Sequence, residues 1–115
     1  MKSYLFSLEN KGIDLSHKLP MMRNIIPAIG VYKGQTEKSF LAVNPSEEQL
    51  DLIKKLMEES RQESYIVLTD DDIRLVDASG NILATTTKYQ FVENIDEVTG
   101  DSYTIFNDFI LEIFF

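Results

Sequence analysis

One segment of this chain, residues 46–61, has the sequence of an amphipathic helix, and it constrains the fold more than any other segment. Ser46 is a good N-cap, and Gln49 three residues later completes a capping box. Two glutamates follow the cap in the first turn, where the helix dipole favours acidic side chains. Apolar residues then recur with helical spacing along one broad stripe, which comprises Leu50, Leu52, Ile53, Leu56 and Met57. The pattern predicts a helix that packs on a sheet through this stripe.

The rest of the chain consists mainly of β-prone runs separated by turn residues. Pro27 cannot donate to a strand ladder, so it predicts either an edge strand or a strand that begins after it. Pro20 also limits the segment before it to a short helical turn. The predicted strands are residues 3–8, a hairpin of 28–33 and 37–43, and a meander of 64–69, 73–76 and 82–86, with further β-like sequence at 88–93.

The C-terminal segment, residues 102–115, matches both helical and strand spacing. Its aromatic and β-branched content favours strands, with Asn107 and Asp108 as the turn of a hairpin. Taken together, the patterns predict an α+β fold in which one amphipathic helix, residues 46–61, packs on a mainly antiparallel sheet. We expect about five to seven strands. At this length a single domain spanning residues 1–115 is expected.

The composition predicts a cytoplasmic protein. Cysteine is absent from the 115 residues, which favours a reducing compartment for a chain of this size. The first apolar run is short and interrupted by polar residues, unlike the core of a signal peptide. No stretch approaches the ~20 apolar residues of a membrane helix.

Residues that support catalysis or cofactor binding are scarce. The only histidine, His17, has Asp14 and Ser16 beside it, but sequence neighbours rarely form a catalytic triad, and a surface histidine is the simpler interpretation. The run Asp70–Asp72 suggests a calcium loop, yet Arg74 and Leu75 stand where such a loop needs a ligand and a glycine. We therefore predict no metal, no cofactor and no enzymatic activity. Ordinary strand edges likewise account for Glu37 and Glu63, which precede two predicted strands.

Charge is the most distinctive property of the composition. The net charge is −8, with +3 in residues 1–40 and −11 in residues 41–115. Such a field repels nucleic acid and anionic membranes and attracts basic partners, although solubility alone also explains it. The first hypothesis is a protein-binding regulator or inhibitor that docks an acidic surface on a basic partner protein. A nucleic-acid-binding protein is one candidate for that partner, and a virus or mobile element is one candidate source of the inhibitor. The predicted docking residues are Glu47, Glu48, Asp51, Glu58, Glu59, Asp70, Asp71 and Asp72.

Two other functions remain open from the sequence. One is a small-molecule-binding domain or small enzyme that uses a cleft between the helix and the sheet. The other is a structural subunit or homodimer that assembles through its apolar C-terminal segment. The predicted contacts of that assembly are Phe109, Leu111, Ile113, Phe114 and Phe115. A final strand buried in the core is the alternative explanation of the same residues.

Overall fold

The computed structural model describes every residue from Met1 to Phe115, and it is mostly an antiparallel sheet with one helix. Helix α1 spans Glu47–Glu59, and its predicted capping box is present: Ser46 Oγ accepts from the Gln49 backbone N–H, and the Gln49 side chain accepts from the Ser46 N–H. The strands are β1 Lys2–Ser7, β2 Glu9–Asn10, β3 Ile13–Asp14, β4 Ile25–Tyr32, β5 Gln35–Val43, β6 Ser64–Thr69, β7 Ile73–Asp77, β8 Ile82–Thr86, β9 Tyr89–Val92, β10 Ser102–Ile105 and β11 Ile110–Ile113.

Nine strands form one sheet in the order β8-β7-β6-β1-β5-β4-β10-β11-β9, and β2 and β3 form a separate two-stranded ribbon. The predicted hairpin β4–β5 and meander β6–β7–β8 are both confirmed. The predicted number of strands was too small, because the C-terminal hairpin and β9 extend the sheet beyond β4. That hairpin turns at Asn107 and Asp108 as predicted, and the Phe106 N–H donates to the Phe109 carbonyl at 2.9 Å.

The sheet curls into a half-barrel, and one short connection shows how close its two edges come. Strands β8 and β9 lie at opposite ends of the strand order, yet only Thr87 and Lys88 separate them in sequence. Consecutive Cα atoms are 3.8 Å apart, so the end of β8 and the start of β9 lie within about 11 Å. The corner is held by the Lys88 N–H, which donates to Thr86 Oγ1 at 3.0 Å, and by the Lys88 carbonyl, which accepts from the Phe114 N–H at 2.9 Å.

Helix α1 covers one face of the half-barrel and forms the larger core with it. The helix contributes Ile53, Leu56 and Met57, which are at most 4% exposed. The sheet residues that complete this core include Tyr4, Phe6, Phe40, Ala42, Val67 and Val76. The predicted alternation along β5 is confirmed, since Phe40 and Ala42 join this core while Leu41 belongs to the opposite face. No helix in the structure combines the length and apolar character that crossing a membrane requires.

The opposite face of the sheet, which we call the inner face, has no helix over it. A smaller apolar cluster of three buried residues, Leu5, Phe106 and Leu111, lies there. Partly buried neighbours on β4, β5, β6 and β11 extend this cluster: Ala28, Leu41, Ile66, Leu68 and Ile113. The inner face therefore offers both apolar surface and open space.

The position of Pro27 corrects one expectation. Pro27 lies inside β4, which is an internal strand between β5 and β10, rather than in an edge strand or before a strand. The pairing shows why this is tolerated. Strand β10 pairs only with residues 29–32 of β4, so β4 has a neighbour on one side only at Pro27. On the side of β10, no strand pairs with Pro27, so the missing N–H removes no hydrogen bond there.

Candidate functional site

The turn between β6 and β7 carries the three consecutive aspartates, as the sequence predicted, but they differ in their partners. The Asp70 carboxylate lies 3.0 Å from the Met1 amino group. The Asp72 carboxylate lies 2.9 Å from Arg74 Nε and also accepts a hydrogen bond from Thr69 Oγ1. Only Asp71 of the three forms no ion pair. Its charge is consequently the least compensated of the three.

The pairing of three strands brings this turn to the same end of the molecule as the start of α1. Lys2 of β1 pairs with Thr69 of β6, and its carbonyl accepts from the Asn44 N–H at 2.9 Å. Neighbouring strands are about 4.8 Å apart, so the turn and residue 44 are separated by about 10 Å. Helix α1 begins three residues later. We call the resulting group of residues the acidic end: Glu47, Glu48, Asp70, Asp71 and Asp72. The Asp51 side chain, one turn further along α1, instead lines a groove beside the turn at residues 77–81, which Glu58 also lines.

The two remaining predicted docking residues, Glu58 and Glu59, lie at the other end of α1. Eleven residues of helix place Glu58 about 16 Å from Glu47. Lys54 and Lys55 lie between them in sequence, and the Glu59 carboxylate is 3.9 Å from Lys18 Nζ. The eight predicted residues therefore do not form one patch, and five of them belong to the acidic end.

A cleft of about 730 Å³ opens on the inner face, which is not where the sequence led us to expect one. Between helix and sheet lies a smaller groove of about 440 Å³, beside the turn at residues 77–81. Strands β1, β4, β5, β6, β10 and β11 all contribute to the inner cleft. Its apolar floor includes Leu5, Ile66, Leu111 and Ile113. Sequence reasoning missed this cleft because it depends on the curl of the sheet.

Gly30 gives the cleft its shape. A Cβ atom at this position would lie 2.8 Å from Ser39 Oγ and 3.5 Å from Glu37 Cγ. The absence of a side chain on Gly30 therefore leaves room for the Ser39 hydroxyl and the Glu37 side chain to lie over the strand backbone. Ser39 itself is only 6% exposed.

Carboxylates dominate the charged groups of the inner cleft. Glu9, Glu37 and Glu63 line it, with Lys11 as the only basic residue. Glu37 and Glu63, the pair noted in the sequence, thus face the same space. Desolvation of the Glu37 carboxyl group, assisted by the nearby Glu9 carboxylate, raises the pKa of Glu37. No group of three or more His, Cys, Asp or Glu side chains is arranged to hold a metal ion.

The predicted C-terminal contacts divide between core and surface. Leu111 is buried in the inner cluster, Ile113 and Phe114 are half-buried, and Phe109 and Phe115 are exposed. The Phe109 ring lies 5.2 Å from that of Phe91, which in turn lies 5.4 Å from the ring of Tyr89. We call Tyr89, Phe91 and Phe109 the aromatic stripe. Sequence reasoning missed its two β9 members, because nothing local shows that β9 is an edge strand.

No family model, curated protein or solved structure matches this chain. The acidic end and the aromatic stripe place charge and apolar area on the surface of the molecule. The inner cleft instead is an open cleft whose volume falls in the range that small ligands occupy.

Proposed function

We propose that this protein is a non-catalytic regulator or inhibitor that docks its acidic end on a basic protein partner. The observation that carries the proposal is the convergence of Asp71 with Glu47 and Glu48 at one end of the molecule. None of these three carboxylates forms an ion pair within the chain, whereas Asp14, Glu59, Asp70 and Asp72 do. They are therefore available to the charges of a partner. The sequence, which has no cysteine and one histidine, supports the non-catalytic role.

The chemistry of the acidic end indicates the kind of partner. Exposed carboxylates on a chain of net charge −8 accelerate encounters with basic surfaces and oppose encounters with nucleic acid. Basic surfaces of nucleic-acid-binding proteins are built to receive phosphates, and carboxylates can occupy the same positions. A small acidic protein with this property would compete with nucleic acid for its partner. An inhibitor encoded by a virus or mobile element would act in this way on a nucleic-acid-binding target.

The partner is identified by tagged capture from a nuclease-treated lysate of the native host, with elution by salt and mass spectrometry. Binding of the identified partner is then measured for the variant Glu47→Gln/Glu48→Gln/Asp71→Asn, which neutralises the three carboxylates of the acidic end that form no ion pair. We expect affinity to fall roughly tenfold or more, because neutralising these charges removes long-range attraction as well as contact. Raising the salt from about 50 to about 500 mM should also weaken wild-type binding.

The matched control is Glu58→Gln/Glu59→Gln, which removes acidic charges at the far end of α1 and should leave affinity within about twofold. An equal loss of affinity in both variants would mean that binding depends only on the net charge of the protein and not on the acidic end. Unchanged affinity in the triple variant, or binding insensitive to salt, would contradict docking through the acidic end.

Self-association is a second candidate function, and the aromatic stripe favours it. Tyr89 and Phe91 are 52% and 60% exposed on β9, and β9 pairs with β11 alone. Edge strands with exposed apolar side chains are sites where another chain adds. A second copy of this chain would bring an equivalent stripe to the contact.

If the stripe forms a dimer interface, the wild-type protein should have the mass of a dimer in light scattering after size-exclusion chromatography. Phe91→Ser should shift it to the mass of a monomer, because the central ring of the stripe is lost. Ile82→Ser is the control, since Ile82 is 55% exposed on β8 at the opposite edge of the sheet. A wild-type monomer at about 100 μM would rule out a dimer of ordinary strength.

A further inference from the structure

The inner cleft lies away from the acidic end, and the proposed docking does not use it. Its polar side is formed by Glu37 and Ser39 of β5 over Gly30 of β4, and Thr104 of β10 also lines it. Its apolar floor comes from β1, β6 and β11. A charged group, a hydroxyl and an apolar wall therefore line one cleft, which is the combination of groups found in ligand-binding sites.

Ser39 points to a ligand more directly than the other residues of the cleft. It is 6% exposed, yet its hydroxyl makes no hydrogen bond to another protein group and borders the cleft. The neighbouring Ser7 is similarly buried, but its hydroxyl donates to the Lys38 carbonyl at 2.7 Å and accepts from the Glu9 N–H at 3.1 Å. Buried hydroxyls are normally paired in this way. The Ser39 hydroxyl reaches the space of the cleft and is therefore free to pair with a molecule bound there.

The charges around the cleft indicate the sign of the ligand. Three carboxylates, those of Glu9, Glu37 and Glu63, face a single basic residue, Lys11. Glu9 and Glu37 are close enough for their like charges to repel, and the Glu37 carboxyl group is also partly desolvated. A cation placed between them would relieve both effects.

Aromatic rings at the mouth of the cleft add a second feature of cation recognition. Tyr32 and Phe115 line the mouth, and both rings are exposed. The ammonium group of Lys33 already lies 5.3 Å from the centre of the Tyr32 ring, so one face of this ring accepts an ammonium group. Aromatic faces attract such cations through their quadrupole.

We propose that the inner cleft binds a small organic cation, in which an ammonium group contacts Glu37 and Ser39 and an apolar body packs on Leu5, Ile66 and Leu111. A metal ion does not fit, because no three ligating side chains converge there. The size of the cleft, about 730 Å³, accommodates a body of several carbon atoms. This site is independent of the acidic end, so either proposal can fail without the other.

The test is an NMR titration of the full chain, isotopically labelled, with three probes that share one ring: benzylammonium, benzyl alcohol and benzoate. Benzylammonium should shift the amide signals of residues 37–39 and Thr104 and should bind at least tenfold more tightly than benzyl alcohol. Benzoate should not bind, because its charge matches that of the cleft. Equal affinity for the amine and the alcohol would overturn the proposal, as would shifts confined to the groove at residues 77–81.

The benzylammonium affinities of single-residue variants distinguish binding in the inner cleft from a general effect of protein charge. Glu37→Gln should weaken benzylammonium binding about tenfold, whereas Glu58→Gln on α1 should leave it unchanged. Gly30→Ala should also weaken binding, because the new methyl group would lie against Ser39 Oγ. If Gly30→Ala unfolds the chain, Glu37→Gln alone decides the question, since Glu37 is exposed and forms no ion pair. Unaltered affinity in a folded Glu37→Gln variant would overturn the proposal.

Discussion

Replacement of Glu112 by glutamine is expected to lower the free energy of unfolding by about 2–3 kcal/mol at neutral pH. Glu112 is 1% exposed in β11 and has no basic partner. Its carboxylate instead accepts hydrogen bonds from the Gly100 N–H at 2.6 Å, the Thr99 N–H at 3.0 Å and Gln90 Nε2 at 2.7 Å. A glutamine amide can accept through only one of its two polar atoms. One buried donor would then face an NH₂ group.

The same residue should make stability depend on pH. Burial of the Glu112 carboxylate opposes its ionisation, but the hydrogen bonds from Thr99, Gln90 and Gly100 outweigh burial and hold its pKa below the usual range. A carboxyl group with a lowered folded-state pKa contributes stability above its unfolded pKa, near 4.5, and this contribution is lost as pH falls through the folded pKa. The difference between wild type and Glu112→Gln should therefore shrink in acid.

Urea denaturation followed by circular dichroism, at about pH 7 and about pH 3, measures both effects. Glu93→Gln is the matched control, because Glu93 is an exposed glutamate with no ion pair, and its replacement should change stability by less than about 0.5 kcal/mol. A Glu112→Gln variant as stable as wild type at neutral pH would show that the carboxylate does not hold residues 99–100 on the sheet.

Replacement of Ile53 by alanine is expected to cost about 2–5 kcal/mol of unfolding free energy. Ile53 is 1% exposed and lies in the middle of the α1 stripe that packs against Phe6, Phe40 and Val67 in the larger core. Truncation would leave a cavity between the only α-helix and the sheet. Because α1 also carries Glu47 and Glu48, poorer packing of α1 should displace these two carboxylates of the acidic end as well as lower the stability of the fold.

Thermal and urea unfolding of Ile53→Ala should be compared with Lys54→Ala. Lys54 is the next residue on the same helix but is exposed, and alanine is a good helix former, so this control should be nearly neutral. A cost below about 1 kcal/mol for Ile53→Ala would mean that α1 contributes little to the core. The helix would then lie on the surface of the sheet and would not be one of the two layers that form the core of the fold.

Local features were predictable wherever neighbouring residues determine them. The capping box at Ser46, the turn at Asn107 and the alternation along β5 all depend on side chains a few positions apart, and all three are present. The existence of strands at the C-terminus was predictable for the same reason, since aromatic and β-branched residues favour extended backbone.

Long-range pairing decided what the sequence left open. Period-2 alternation identifies a strand but not its neighbours, so nothing in residues 86–89 shows that β8 and β9 lie at opposite edges of one sheet. The same limit applied to Pro27, whose tolerance depends on where β10 stops. The burial of Glu112 could not be predicted for the same reason, since the backbone N–H groups that donate to its carboxylate belong to a separate segment, residues 99–100.

The sequence by itself therefore determined the type of each main element, the acidity of the chain and the scarcity of catalytic residues. Only the tertiary structure decided which acidic residues share a surface, because the acidic end is assembled from two segments joined through β1. It likewise decided that the cleft lies on the inner face. Curvature is a property of the whole nine-stranded sheet, because the twist between neighbouring strands accumulates along a strand order that no local pattern encodes.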